Sequence, residues 1–290
     1  MNRMEAQTFR HKWGLANMDE QQSNEWVNWS EQLWHNAEHG WMTRNGQDHF
    51  YRETVVLPAL LRAVTAPSLP KRPVSIVDLG CGDGHTASLI ISELERRQIH
   101  LSVTLADRSL RLLRAARQYP ELTSLDMVRV DFMNRTWWRK FTKLQHPTVF
   151  LAVFLLQELF ELTSFFEGIR KLMLEHDRLL VVVPAPRYSE SLRRQSRARV
   201  VEMGAITNDW RWAGEYPISI PGGFLALPHF QRTLEDYSRA ATMHNIKLIR
   251  HDDLCVPDTQ AARSVFAETI YGYDIIGRPS AKLLTFSQLR

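Results

Sequence analysis

One stretch constrains this chain more than any other: Val74-Ser-Ile-Val-Asp-Leu-Gly-Cys-Gly-Asp-Gly84, followed by His85-Thr-Ala-Ser-Leu-Ile-Ile-Ser-Glu-Leu94. A short run, apolar but for Ser75, leads into Asp78. Three glycines come next at alternate positions, and the pattern then turns helical. This is a strand, a tight glycine turn and a helix. Glycine enters unusual φ values freely and carries no Cβ, so a ligand can lie against the backbone of such a turn. The helix start behind it offers N–H groups without intrahelical partners. The expectation is a nucleotide-like ligand on this turn.

Gly82-x-Gly84-x-x-Ala87 also fits a dinucleotide fingerprint, with Ala in the last place. Asp78 and Gly80 come first, however, and extend the pattern to Asp-x-Gly-x-Gly-x-Gly. A pyrophosphate gains nothing from a carboxylate at the strand tip. A ligand with an ammonium and a sulfonium does. The segment resembles motif I of the Rossmann-like, class I methyltransferases that use S-adenosylmethionine (SAM). The glycines alone are a weak signal, and the acid at their head strengthens it.

Strands and helices alternate from this point on. Strand 74–78 leads to helix 85–98, and strand 101–106 ends at Asp107 and leads to helix 109–118. Strand 127–130 ends at Asp131 and leads to a short helix near 134–142. Strand 148–154 leads to helix 156–175, and strand 178–183 comes after it. Repeated strand–helix units predict an α/β fold with a doubly wound, mostly parallel sheet. Ligands on such sheets lie at the carboxyl ends of the strands, where Asp78, Asp107 and Asp131 all fall. A helix at 231–244 and a strand at 246–250 resume the pattern, and the alternation of Tyr271, Tyr273 and Ile275 puts a last strand near 270–277. By the resemblance this is the antiparallel seventh strand, which a standard dinucleotide fold lacks.

The resemblance also implies roles. Asp107, with Arg108 beside it, would accept hydrogen bonds from ribose hydroxyls, a task that dinucleotide enzymes share. Asp131 would meet the adenine amino group, with Phe132 flanking the ring. Just past strand four, Ala152, Val153, Phe154 and Gln157 would line the methionine moiety. The segment before motif I would fold over the same end, bringing Tyr51 and Arg52 to the sulfonium or carboxylate. With Asp78, Gly80, Gly82 and Gly84, the residues Arg52, Asp107, Arg108, Asp131, Phe132, Phe154 and Gln157 form the expected cofactor set. Tyr51, His49 and Gln157 are the expected candidates for catalysis. There is no Asn-Pro-Pro-Tyr run, as in enzymes that methylate exocyclic amines of nucleic acids, and no run of metal-binding carboxylates.

Residues 1–70 read as a helical N-terminal cap or lid, and 71–290 as the catalytic domain. A Pro-rich linker, Ala66-Pro-Ser-Leu-Pro-Lys-Arg-Pro73, marks the boundary. One cap helix starts at Ser23 or Asn24 and runs toward Gly40. A second covers 51–64, with Pro58 kinking or dividing it. Five of the nine tryptophans (Trp13, Trp26, Trp29, Trp34 and Trp41) lie in the first 41 residues, which suggests aromatic walls over the ligand. Residues 187–230 read as an insertion beside the site, too long for an ordinary connection. It holds a basic helix from Ser191 to about Met203, including Arg193-Arg-Gln-Ser-Arg-Ala-Arg199, and an aromatic loop from Asp209 to Gly223.

The net charge of +4 permits an anionic partner without demanding one. Cys81 and Cys255 form no metal or disulfide pattern, which suits a reducing, cytoplasmic setting. No signal core opens the sequence and no stretch reaches the length of a membrane span. His35 and His39 share a helix face, but Asn36 stands where a zinc protease motif needs Glu, so no metal is expected. The expected activity is methyl transfer to a small molecule, as in secondary metabolism, by in-line displacement in an aromatic-lidded pocket. One alternative leaves SAM as sole reactant: its α-amine attacks its own γ-carbon, giving azetidine-2-carboxylate and methylthioadenosine in a lyase-type reaction. A second alternative is an RNA or protein methyltransferase, supported only by the basic cluster and net charge.

Overall fold

The computed structural model describes residues 28–36, 46–66, 74–141, 144, 147–194, 199–201, 212–220, 223–266 and 275–289. Trp13, Trp26, Trp41, His39, Tyr271, Tyr273 and most of the Pro-rich linker lie outside the described residues, as does 195–198 within the basic cluster.

The main sheet has seven strands: β1 (Val74–Leu79), β2 (Leu101–Asp107), β3 (Asp126–Arg129), β4 (Thr148–Val153), β5 (Arg178–Pro184), β9 (Ile246–Cys255) and β10 (Pro279–Gln288). Their order is β3-β2-β1-β4-β5-β10-β9. β10 runs antiparallel to both its neighbours, and the other strands are parallel to one another. The order reverses between β1 and β4, so the ends of β1, β2 and β4 frame a crevice where the glycine turn leaves β1. β4 is buried throughout. Its Thr-Val-Phe-Leu-Ala-Val sequence is the near-continuous apolar run of a parallel strand covered on both faces.

Two cores flank the sheet. On one side Ile76, Val103, Leu151 and Leu180 pack with Ile90, Leu94 and Leu60. On the other, Val77, Phe150, Val181 and Phe286 pack with Phe165, Phe166, Ile169 and Trp137. Alternate residues of each strand thus serve opposite cores, which is the period-2 consequence of the pleat. Trp137 is wholly buried and donates its indole N–H to the Ser164 carbonyl at 2.9 Å.

The antiparallel strand lies at Pro279–Gln288 and not at 270–277. It is a central strand with buried residues on both faces, so its sequence shows no clean alternation to guide placement. The segments expected as helices at 134–142 and at the start of 156–175 are single 3-10 turns, Trp137–Lys140 and Leu156–Glu158; the next helix covers Thr163–Leu172.

The described residues of the insertion are more regular than the sequence indicates. A helix spans Pro186–Arg194, where the basic helix was expected to reach about Met203. Beyond it lies a separate antiparallel sheet made of β6 (Arg199–Val201), β7 (Trp212–Ile220) and β8 (Gly223–Gln231). Much of the expected aromatic loop is therefore a hairpin, with Trp212 opposite Gln231 and Ile220 opposite Gly223. Pro217 and Pro228 sit inside its strands, and proline in an apolar run argues against a strand from sequence alone.

In the cap, residues 28–36 are helical. Gly46–Tyr51 and Leu57–Val64 are α-helices joined by a π-helical turn, Arg52–Val56. The Leu57 N–H reaches back five residues to the Arg52 carbonyl. Pro58 explains why the segment divides there: it has no N–H, and its ring would clash with the carbonyl four residues back. Among the described residues no helix is long and apolar enough to cross a membrane.

Candidate active site

β1 ends in a turn whose three glycines all have left-handed backbones: φ is 73° at Gly80, 58° at Gly82 and 80° at Gly84. Two of them are also sterically committed. A Cβ on Gly80 would come within 2.9 Å of Leu155, and one on Gly84 within 2.7 Å of Leu122. The turn therefore fits closely between the sheet and the helix Pro120–Leu122, and it opens on its remaining side into a cavity of about 1010 Å³. The carboxyl ends of β1, β2 and β4 and the segment after β3 line that cavity, and Ser30, Glu31, Trp34 and His35 of helix 28–36 form another wall.

Asp107 closes the end of β2. One carboxylate oxygen accepts the Gly82 N–H at 3.0 Å and the other accepts the Ser109 N–H at 2.8 Å. It thereby ties the glycine turn to the second strand. Burial pushes its carboxyl up, and the N–H groups of Ser109 and Gly82 offset part of that rise. Arg108 lines the cavity and holds its guanidinium carbon 5.4 Å from the centroid of the Trp34 ring. This cation–π contact links the end of β2 to helix 28–36.

Asp131 is exposed, lines the cavity and accepts the Met133 N–H at 3.0 Å. Phe132 also contributes to the wall, but its ring belongs to the core. It meets Trp137 edge-on at 5.1 Å and Phe165 at 6.0 Å.

Asp78 lies inside β1, 2% exposed, and does not reach the cavity lining. Burial pushes its carboxyl up to about 7; the Arg52 guanidinium works against that rise and the Asp107 carboxylate adds to it. Its Oδ1 is buried without a hydrogen-bond partner. An orphaned carboxylate oxygen directly behind a glycine turn is an acceptor that a cationic group nearby would stabilise.

Arg52 joins the cap to this arrangement. It is buried and lines the cavity. Its Nε donates to Asp48 Oδ2 at 2.8 Å, its Nη1 donates to Thr86 Oγ1 at 2.9 Å, and its guanidinium carbon lies 5.5 Å from the Phe154 ring centroid. Phe154 itself comes after β4 with φ of 55°, while its N–H still donates to the Val182 carbonyl at 2.8 Å. A bulky residue in the left-handed region is an outlier that the surrounding structure must hold in place. Val153 shares the cavity wall with it, whereas Ala152 is in the core.

The three residues expected to act in catalysis all stand outside the cavity lining. Tyr51 turns toward β10, where its hydroxyl pairs with Ser280 Oγ at 2.8 Å and burial raises its pKa. His49 stacks on His85 with centroids 3.9 Å apart. Gln157 folds back so that Nε2 donates to the Phe154 carbonyl at 2.6 Å.

The neighbouring Glu158, and not Gln157, lines the cavity. It is 7% exposed. Burial drives its carboxyl well above the usual range; Arg108 and Arg52 oppose that shift and Asp107 reinforces it. A one-residue difference decides which side chain faces the cavity, because the 3-10 turn rotates the chain by a third of a circle per residue. Asp83 and Thr86 also line the cavity, and no motif in the sequence points to them. The 156–160 loop is held from behind by Arg232. This buried guanidinium donates to the carbonyls of Leu156 at 3.1 Å, Leu159 at 2.9 Å and Phe160 at 2.9 Å.

No family model matches the sequence, and none of the curated proteins does. Solved structures do resemble it. The PH0226 protein from Pyrococcus horikoshii is 15% identical, with a TM-score of 0.53 over 83% of this chain and 91% of that one. A chain in the Haloferax volcanii complex between the Trm112 methyltransferase activator and its candidate methyltransferase is 14% identical, with a TM-score of 0.52 over 84% of this chain and 94% of that one. An S-adenosylmethionine dependent methyltransferase from Mesorhizobium loti is 19% identical, with a TM-score of 0.46 over 80% and 96% of the two chains. The chain has the Rossmann-like, seven-stranded fold of class I methyltransferases.

Proposed function

We propose that the protein transfers the methyl group of SAM to a small molecule held in this cavity. The observation that carries the reading is the convergence of the glycine turn, Asp107 and the Asp131–Phe132 segment on one cavity. The chemistry of these groups fits SAM. The Gly82 turn and Asp107 offer backbone and carboxylate to a ribose, and Asp131 stands at the end of β3 for an amino group. The orphaned Asp78 oxygen and the buried carboxyls beside it favour a cationic ligand. Bound there, SAM supplies a methyl carbon already activated by its sulfonium. The protein's own residues then have to orient two molecules and keep water out.

A cavity of about 1010 Å³ stands at the top of the usual range for a small-molecule site, roughly 300–1,000 Å³. That leaves space for an acceptor beside SAM and counts against self-cyclisation. The wall formed by helix 28–36 favours an acceptor that is enclosed, hence small.

Incubation with SAM, with and without candidate acceptors, and then identification of the nucleoside product tests this reading. S-adenosylhomocysteine formed only when an acceptor is present is the expected result. Methylthioadenosine from SAM alone would replace methyl transfer with cyclisation.

A further inference from the structure

We propose that Glu158 receives the acceptor, that the acceptor is an amine arriving as its ammonium ion, and that Glu158 takes the proton the nitrogen must lose. This inference rests on the methyl-transfer reading above and names the acceptor class for that same cavity.

Glu158 differs from the three aspartates around the cavity in having little else to do, and from Glu31 in being buried. Asp107 holds two backbone N–H groups, Asp83 accepts the His85 N–H at 3.4 Å, and Asp131 accepts that of Met133. Among the described residues, the Glu158 carboxyl has one hydrogen bond, a 3.4 Å contact from Gln157 Nε2. Yet it is 93% buried, and the part that remains open faces the cavity. A carboxyl group with one long hydrogen bond, whose burial the nearby Arg108 and Arg52 guanidiniums only partly offset, gains from a further donor brought in from outside.

The loop that carries it is built for accuracy. The Glu158 N–H donates to the Leu155 carbonyl at 2.9 Å, closing the 3-10 turn. The buried Arg232 then binds carbonyls on both sides of Glu158. A guanidinium offers five donors in one plane, so a single side chain fixes several carbonyls at once. Arg232 touches backbone here, and its part is to position the loop.

The character of the cavity floor selects among acceptors. Burial disfavours the ionised form of Glu158, and the Arg108 and Arg52 guanidiniums offset only part of that, so a further positive charge beside it is favoured. An ammonium supplies that charge, and a neutral alcohol does not. Once both are desolvated, the ion pair is itself disfavoured relative to the neutral pair of carboxylic acid and amine. As the ammonium enters, Glu158 releases its resting proton to solvent; the ammonium proton then passes to the carboxylate so formed, and the nitrogen gains the lone pair it needs. That lone pair forms the new N–C bond, and the electrons of the broken C–S bond remain on sulfur. Glu158 is then protonated, as at rest, when product leaves.

The test uses the full chain with isotopically labelled SAM and two matched sets of probes: phenethylamine, tyramine and tryptamine, and the alcohols phenethyl alcohol, tyrosol and tryptophol. The expected result is label in at least one amine and in none of the alcohols. Glu158→Gln should lower kcat/KM for that amine by about 100-fold or more and abolish the rise of the wild-type rate with pH. Its circular dichroism and urea unfolding midpoint should match wild type, which shows that the variant folds. Glu158→Asp, which keeps the carboxyl, should recover part of the rate. Label in an alcohol, no label in any amine, or Glu158→Gln working at the wild-type rate would each overturn the proposal. Failure of the wild-type chain to bind SAM would instead remove the methyl-transfer reading, and the acceptor assignment with it.

Discussion

The guanidinium of Arg52 faces the ring of Phe154, 5.5 Å from its centroid, at the one point where the cap, the glycine-turn helix and the end of β4 meet. Neither residue is in an easy state. Arg52 is a buried cation, and Phe154 has a left-handed backbone. Hydrogen bonds hold both in place, Arg52 to Asp48 and Thr86, and Phe154 to Val182 and Gln157. Removing the cation should therefore cost more than a surface ion pair would. Arg52→Met removes the ion pair with Asp48 and the hydrogen bond to Thr86. It should destabilise the fold by about 3 kcal/mol, as breaking a buried pair does, measurable by urea unfolding.

Asp78 makes a prediction about pH. Its carboxyl is pushed up to about 7 in the folded protein, against an ordinary value of 3.8. Between those values the folded chain retains a proton that the unfolded chain has released. Asp78 therefore contributes a stability that falls as pH rises through that window and levels off above it. Asp78→Asn is neutral at every pH. Its stability relative to wild type should rise by up to about 4 kcal/mol between pH 4 and pH 8. Urea unfolding of both proteins at several pH values gives the difference directly; a gap that does not change with pH would disprove the burial argument.

Asp107→Ala removes the acceptor for two N–H groups and the carboxylate proposed for the ribose. SAM affinity should fall by about 10- to 100-fold, the worth of one or two hydrogen bonds to a charged group. Calorimetric titration measures it. The far-ultraviolet circular dichroism should be unchanged, since β2 is paired along its length by β1 and β3.

Arg232→Met should destabilise by about 3 kcal/mol, because several buried carbonyls lose their donor together. Arg232→Lys should recover only part of this, since an ammonium cannot span three carbonyls in one plane. Comparing the denaturation midpoints of the two variants distinguishes geometry from charge.

Gly168 lies in the helix Thr163–Leu172, and a Cβ there would approach the Trp137 ring to 2.2 Å. Alanine normally stabilises a helix relative to glycine. Here Gly168→Ala should destabilise by about 1–3 kcal/mol through overpacking, with a change in the Trp fluorescence of the unfolding curve. A stabilised variant would mean that the indole can give way.

How much of this molecule is legible in its sequence depends on how local each signal is. The glycine turn, Asp107 and the strand–helix alternation are legible because one strand and one helix separate them and every part has its own pattern. The antiparallel direction of β10 is readable only through resemblance, and its position is not, because a strand buried on both faces has no polar face to mark its phase. Gln157 reads as the site residue in place of Glu158, since nothing in Leu-Leu-Gln-Glu announces a 3-10 turn. Arg232 gives no signal at all. Its partners are more than seventy residues away, and a lone arginine before a helix reads as a surface residue.

The π turn between Gly46 and Val64 bears on how such a site could vary. A π turn accommodates more residues per turn than the α-helices on either side of it. Deleting one residue from 53–56 would remove the five-residue reach of the Leu57 N–H to the Arg52 carbonyl. The segment carrying Arg52 would then rotate by about 100° relative to Leu60. Arg52 would leave Thr86, Phe154 and the cavity together, although no residue of the cavity had changed. The number of residues in that turn, as much as the identity of any of them, sets which ligand this protein can hold.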